Sequence, residues 1–186
     1  AALRGAAKAL PADSPAYLVY LANLLSGAAD RRETEGESDA YRRELPLDAV
    51  FTHLNGSHPG WAMPAQPQDG SLKLPQKSQP LSAAVYAEAV RTLEAQLPQL
   101  QPQPEQLGKL LGLLETQLGC FPSSIYPGEG ADISLFDHAK TTAAIAACLS
   151  EYVQANHITD LRKTLFEQKN DFCRKGVFLL YTADFS

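Results

Sequence analysis

Leucines and alanines recur at helical spacing along most of the chain, and the periodic stretches break at proline, glycine and charged runs. Leu3, Ala6, Ala7 and Leu10 predict a first helix that Pro11 stops. Ser14 and Pro15 open the next one, the serine as a cap and the proline in the first turn. Its apolar stripe is Tyr17, Leu18, Leu21, Leu24 and Leu25, up to Gly27. An amphipathic helix is predicted over 81–97, ended by Pro98, and after a Pro/Gln connector at 99–104 another over 105–118, closed by Gly119. Residues 121–132 read as an ordered loop. The strongest helix runs from about 134 to 154 and is almost entirely small or apolar over 141–149, a pattern that predicts burial on several sides. One more helix is expected over 158–169, then a buried strand over 176–184. The fold class this predicts is mainly α, with one terminal strand.

Two polar stretches interrupt the pattern. From Asp30 to Arg43 the chain is dense in charge and reads as a solvated loop. From Leu54 to Pro80 it is rich in Gly, Pro, Gln and Ser, a long surface excursion with a hairpin expected around Asp69-Gly70. The chain starts without Met and stops just after an apolar run, so both ends are expected to be cut points in a longer protein.

The 186 residues are enough for one ordinary domain, or one domain and part of another. A net charge of −5 argues against a protein that coats nucleic acid over its whole surface. Three cysteines far apart, Cys120, Cys148 and Cys173, argue against a disulfide framework or a zinc site and point to a reducing, cytoplasmic setting. No apolar run approaches the ~18 residues of a membrane span.

Few side chains stand out for chemistry. His138, at the start of the most apolar helix, is either a core or capping histidine held by Asp137 or a metal ligand projecting into a helical bundle. Asn23 is placed on the apolar face of the second helix, where a buried amide needs a hydrogen bond; the other reading puts it where an aspartate would bind metal. Asp184 ends the predicted strand and serves either a ligand or a loop. Arg31, Arg32, Arg42 and Arg43 face either phosphates or the neighbouring acids. His53, His58 and His157 read as surface residues. There is no Gly-rich phosphate loop, CxxC pair or nucleophile elbow.

Three blocks together resemble one family. Tyr20-Leu21-Ala22-Asn23, followed by Ser26-Gly27-Ala28-Ala29-Asp30-Arg31-Arg32-Glu33, resembles the Ala-Asp…Ser-Gly-x-Asp-Arg-Arg-Glu stretch of the large subunit of type III-A CRISPR effector complexes. Ser134-Leu135-Phe136-Asp137-His138-Ala139-Lys140-Thr141-Thr142-Ala143-Ala144 is similar to that family's Ser-Leu-x-Asp-His-x-Lys-Thr-Thr-Ala-Ala helix. Tyr181-Thr182-Ala183-Asp184-Phe185-Ser186 is similar to its first palm strand. The resemblance implies a permuted HD-like helical bundle over 1–155, with a long loop at about 45–80. Residues 156–186 would lead into a ferredoxin-like palm through its first strand. It further implies metal-dependent cleavage of single-stranded DNA by the HD domain, and synthesis of cyclic oligoadenylate from ATP with Mg by palm domains outside this segment. His138 and Asn23 would stand at metal-ligand positions for Mn, Ni or Co. Asp137 would fix the histidine ring, and Asp184 would lie on the cofactor side. Implied partners are the other effector subunits, guide RNA and target RNA. Two departures follow: Asn23 replaces an aspartate, and neither the family's His-Asp pair nor its Gly-Gly-Asp-Asp motif occurs in the 186 residues. A helical scaffold with a decayed HD site is therefore the alternative.

Overall fold

The structure is a computed structural model and describes residues 9–30, 42–50, 60–67, 70–101, 103–124 and 131–177. Outside the described residues lie most of the predicted first helix, Arg31 and Arg32, His53, His58, and the predicted strand from 178 onward with Asp184. The elements are α1 (Ala16–Asp30), β1 (Trp61–Ala62), β2 (Gln76–Lys77), α2 (Ala83–Gln96), α3 (Leu107–Leu118), α4 (Leu135–Ala155) and α5 (Lys169–Cys173). A π-helical turn, Arg162–Glu167, precedes α5, and 3-10 turns at Leu97–Gln99 and Pro104–Gln106 join α2 to α3. The described chain is thus mainly helical with one small antiparallel sheet. No helix among the described residues is long and apolar enough to cross a membrane.

The chain divides into two compact units, Ala1–Ala29 with Ala139–Ser186, and Asp30–His138.

In the first unit, α1 starts where Ser14 and Pro15 predict. The Ser14 and Pro15 carbonyls accept the Tyr17 and Leu18 amides at 3.2 and 3.0 Å. Its buried face is Tyr17, Leu18, Leu21 and Ala22, packed in one core with Leu149 and Val153 of α4 and with Leu161, Leu165 and Phe172. Phe166 fills the gap beside α1, its ring 5.9 Å from Tyr17 and 5.0 Å from Tyr20. Burying a leucine of this kind stabilises by roughly 1.5–3 kcal/mol. Residues 10–12 are tied down by Arg162, whose amide donates to the Ala12 carbonyl at 2.9 Å and whose guanidinium donates to that of Leu10 at 2.7 Å.

The helix expected over 158–169 is instead the wide turn at Arg162–Glu167, where the Gln168 amide reaches back to the Lys163 carbonyl at 2.8 Å. An extra residue per turn rotates the following segment, and Phe172 of α5 then reaches the core beside Tyr152.

α4 ends in a left-handed turn. The Ile158 amide donates to the Val153 carbonyl at 2.9 Å and the His157 amide to that of Gln154 at 3.2 Å, with His157 at φ 54°. This is the double hydrogen bond of a Schellman cap, with Ile158 packed on the core as its apolar latch. The position usually belongs to glycine, and here histidine occupies it.

In the second unit, α2 and α3 form a helical hairpin, and Ala89, Cys120 and Phe121 make a small core with Leu81, Val85, Tyr86 and Leu135. Tyr86 stacks on Phe121 at 4.6 Å between ring centres. β1 and β2 pair with Trp61 opposite Lys77 and Ala62 opposite Gln76. Of the hairpin expected around Asp69-Gly70, Asp69 lies outside the described residues; the strands on either side pair, and Gly70 in the arch between them holds φ 82°. Residues 47–49 extend the pairing, since the Ala49 amide donates to the Trp61 carbonyl and that of Met63 to Leu47, at 3.1 and 2.8 Å.

Candidate functional site

His138 sits in the first turn of α4, and the local chain fixes where that turn begins. Pro122 bridges Ser134, while Ser123 donates to the Ile133 carbonyl at 2.8 Å and Leu135 to that of Phe121 at 2.7 Å. This short antiparallel ladder brings the strand-like segment to an abrupt stop at buried Ser134. The Ser134 hydroxyl accepts the Asp137 amide at 3.0 Å and donates to the Asp137 carboxylate at 2.7 Å. Two side chains three residues apart thus close the start of the helix reciprocally, a variant of the capping box. The His138 amide follows by donating to the Ser134 carbonyl at 3.0 Å.

Asp137 therefore has a partner that sequence reasoning did not give it. Its carboxylate is spent in part on Ser134, where it also lies favourably at the positive end of the helix dipole. The signal was present in the sequence: a serine three residues ahead of an acid, just before an apolar run. His138 itself is half-buried.

Asn23 differs from its expected setting, because it is exposed on α1 and not on the buried face. The helical wheel explains this. The buried arc runs through Leu18, Leu21 and Ala22, and Asn23 lies about 100° past Ala22 on its far side. The polar residue that α1 does bury is Ser26, which sequence reasoning passed over. Asn23 belongs to the first unit and His138 to the second.

The expectation that α4 is sealed on several sides is also corrected. Thr142, Leu149 and Val153 are buried, whereas Ala143, Ala144, Ala147 and Cys148 are exposed. Alanine supplies apolar character at little area per residue, so an alanine-rich helix gains little by being enclosed completely. The buried Thr142 hydroxyl, one turn beyond His138, has no hydrogen-bond partner.

Among the described residues, no group of three or more His, Cys, Asp or Glu side chains is placed to hold a metal ion. A catalytic metal centre uses about three protein ligands and an open position. The described donors thus do not fit a complete centre. Burial raises the thiol pKa of Cys120 and that of Cys173 above the ordinary value, which keeps both in the neutral form at physiological pH.

The chain was compared with known proteins. No family model matches it. It is 33% identical over 195 aligned positions to the CRISPR system single-strand-specific deoxyribonuclease Cas10/Csm1 (subtype III-A) of Mycobacterium tuberculosis, covering 100% of this chain and 24% of that protein. The proteins so named from Enterococcus italicus and Streptococcus thermophilus are each 29% identical, covering 97% and 94% of this chain and 26% and 24% of theirs. The crystal structure of Csm1 in T. onnurineus superposes with a TM-score of 0.51 at 27% identity, over 72% of this chain and 16% of that one. The chain spans about a quarter of the length of the curated relatives it matches.

Proposed function

This chain is homologous over its whole length to Cas10/Csm1, the large subunit of type III-A CRISPR systems, and on that premise we propose that it is a segment of a metal-dependent single-strand deoxyribonuclease subunit. The observation that carries this reading is the full-length alignment with deoxyribonucleases of that name. Residues up to about 155 form the HD-like part and 156–186 lead into the palm, whose cyclase chemistry with ATP and Mg lies beyond this segment; Asp184 stands on that side. The intact subunit works in the cytoplasm with the other effector subunits, guide RNA and target RNA, and takes single-stranded DNA as substrate.

Within the HD-like part, His138 would supply one imidazole to a divalent metal, Mn, Ni or Co. A complete centre would need further ligands beside it. The bound metal would activate water and neutralise charge on the scissile phosphate. What this chain contributes is placement: the Ser134–Asp137 cap fixes where the helix starts and so the direction in which the His138 ring leaves it. Asn23 stands at the aspartate position of the family motif, and its neutral amide oxygen would bind a cation more weakly than a carboxylate.

A second reading, a helical scaffold with a decayed nuclease site, is favoured by Asn23 and by the sparse donor set. Cleavage of single-stranded DNA by the full subunit with manganese, nickel or cobalt separates the two. The nuclease reading expects metal-dependent cutting that drops at least about tenfold in His138→Ala and rises in Asn23→Asp. Equal cutting by the natural protein and His138→Ala removes the ligand assignment. No cutting by either, restored by Asn23→Asp, establishes the scaffold.

A further inference from the structure

The second unit carries a groove that borders the Ser134–Asp137 cap and extends well away from it. It has a volume of about 450 Å³ and runs between the segment at 47–50, the arch at 72–75, the end of α3 and the start of α4. Buried Leu47, Ala49 and Phe136 form its apolar base. At its rim Leu72 and Leu74 are 83% and 66% exposed, and Val50 is exposed beside them. Large aliphatic side chains on a soluble surface are ordinary when single. Three around one apolar depression are the pattern of an interaction site.

Charge selects the occupant. Among the described residues that line the groove are four carboxylates, those of Asp48, Glu115, Asp132 and Asp137, and one ammonium, that of Lys73. Such a field repels phosphate backbones and attracts cationic side chains. In Leu72-Lys73-Leu74 both leucines are exposed and the lysine between them is half-buried. We propose that this groove docks an extended, basic segment of a partner polypeptide, with aliphatic side chains seated on the apolar base and lysine or arginine on the carboxylate rim. The groove shares Ser134 and Asp137 with the cap ahead of His138, but docking there takes nothing from the metal chemistry assigned to that residue.

The test uses the full-length subunit and a fluorescein-labelled peptide of alternating lysine and leucine, read by fluorescence anisotropy. The peptide binds saturably, and its glutamate–leucine counterpart does not. The double variant Leu72→Ser/Leu74→Ser weakens binding at least about tenfold, since two aliphatic contacts are lost. Glu115→Lys weakens it about three- to tenfold at low salt, with the effect shrinking as salt rises, and Lys73→Glu tightens it. Glu94→Lys, an exposed acid of α2 outside the groove, leaves it unchanged. Thermal melts of all variants match the natural protein, because the altered side chains do not belong to the core. Three results overturn the proposal: no saturable binding of the lysine–leucine peptide, equal losses from Glu94→Lys and Glu115→Lys, or retention of affinity in the double leucine variant. A labelled single-stranded oligonucleotide whose binding falls in that same variant would assign the groove to nucleic acid and overturn it as well.

Discussion

Replacing His157 by glycine should stabilise the protein, although it deletes a whole side chain. His157 holds φ 54° at the end of α4, and the two hydrogen bonds that cap the helix, Ile158 to Val153 and His157 to Gln154, exist only while it does so. For a residue with a Cβ this left-handed conformation costs ~1–2 kcal/mol, with histidine toward the tolerant end. Glycine escapes that strain but gives the unfolded chain extra freedom, an offset of ~0.5–1 kcal/mol. The His157 side chain is exposed, so its loss subtracts little. The balance is a gain of about 0.5 kcal/mol, or a Tm rise of roughly 1–2 °C for a chain of this size. Valine at the same position meets the full strain with a branched side chain and should lose about 1 kcal/mol relative to histidine. Urea unfolding followed by circular dichroism measures all three proteins. The order glycine, histidine, valine supports the backbone argument. Equal midpoints for the glycine and valine variants would refute it, because sterics at φ would then not govern the cap.

Four further outcomes are expected. Leu149→Ala opens a cavity at a fully buried position in the core of the first unit and should lose about 3 kcal/mol in the same unfolding experiment. Ser134→Ala removes both hydrogen bonds of the α4 cap and should cost about 1 kcal/mol, with faster hydrogen exchange at the Asp137 amide, whereas Ser134→Thr keeps most of both. With a maleimide at neutral pH, exposed Cys148 should react first and buried Cys120 last, as read by peptide mass mapping. Desolvation raises the Cys120 thiol and the Tyr86 phenol above their ordinary values, so the folded state holds both protons more tightly than the unfolded one. Their contribution is complete below the ordinary thiol range and falls away as pH climbs through the raised values. The urea midpoint should therefore decline above about pH 9, and Cys120→Ala should flatten the onset of that decline.

What the amino-acid order determined by itself was local. Ser14 with Pro15 set the start of α1, Pro98 and the residues after it broke α2 from α3, and Ser134 ahead of Asp137 placed the first turn of α4. Each of these is a contest among a few neighbouring backbone groups, so the outcome is written in the residues that take part. The family blocks around Asn23 and His138 were equally legible, and the comparisons bear out the homology.

Burial was decided elsewhere. The stripe on α1 gave its period but not its edges, and the core made by Leu149, Leu161, Leu165 and Phe172 put Ser26 inside and left Asn23 at the surface. The segment expected as a regular helix is a wide π turn at Arg162–Glu167, and Phe172 beyond it belongs to the same core. The acidic groove, too, is assembled from residues as far apart as Asp48 and Asp137, which no local pattern joins. Packing energy is shared among segments distant in sequence, and so only the folded chain fixes which face each helix hides.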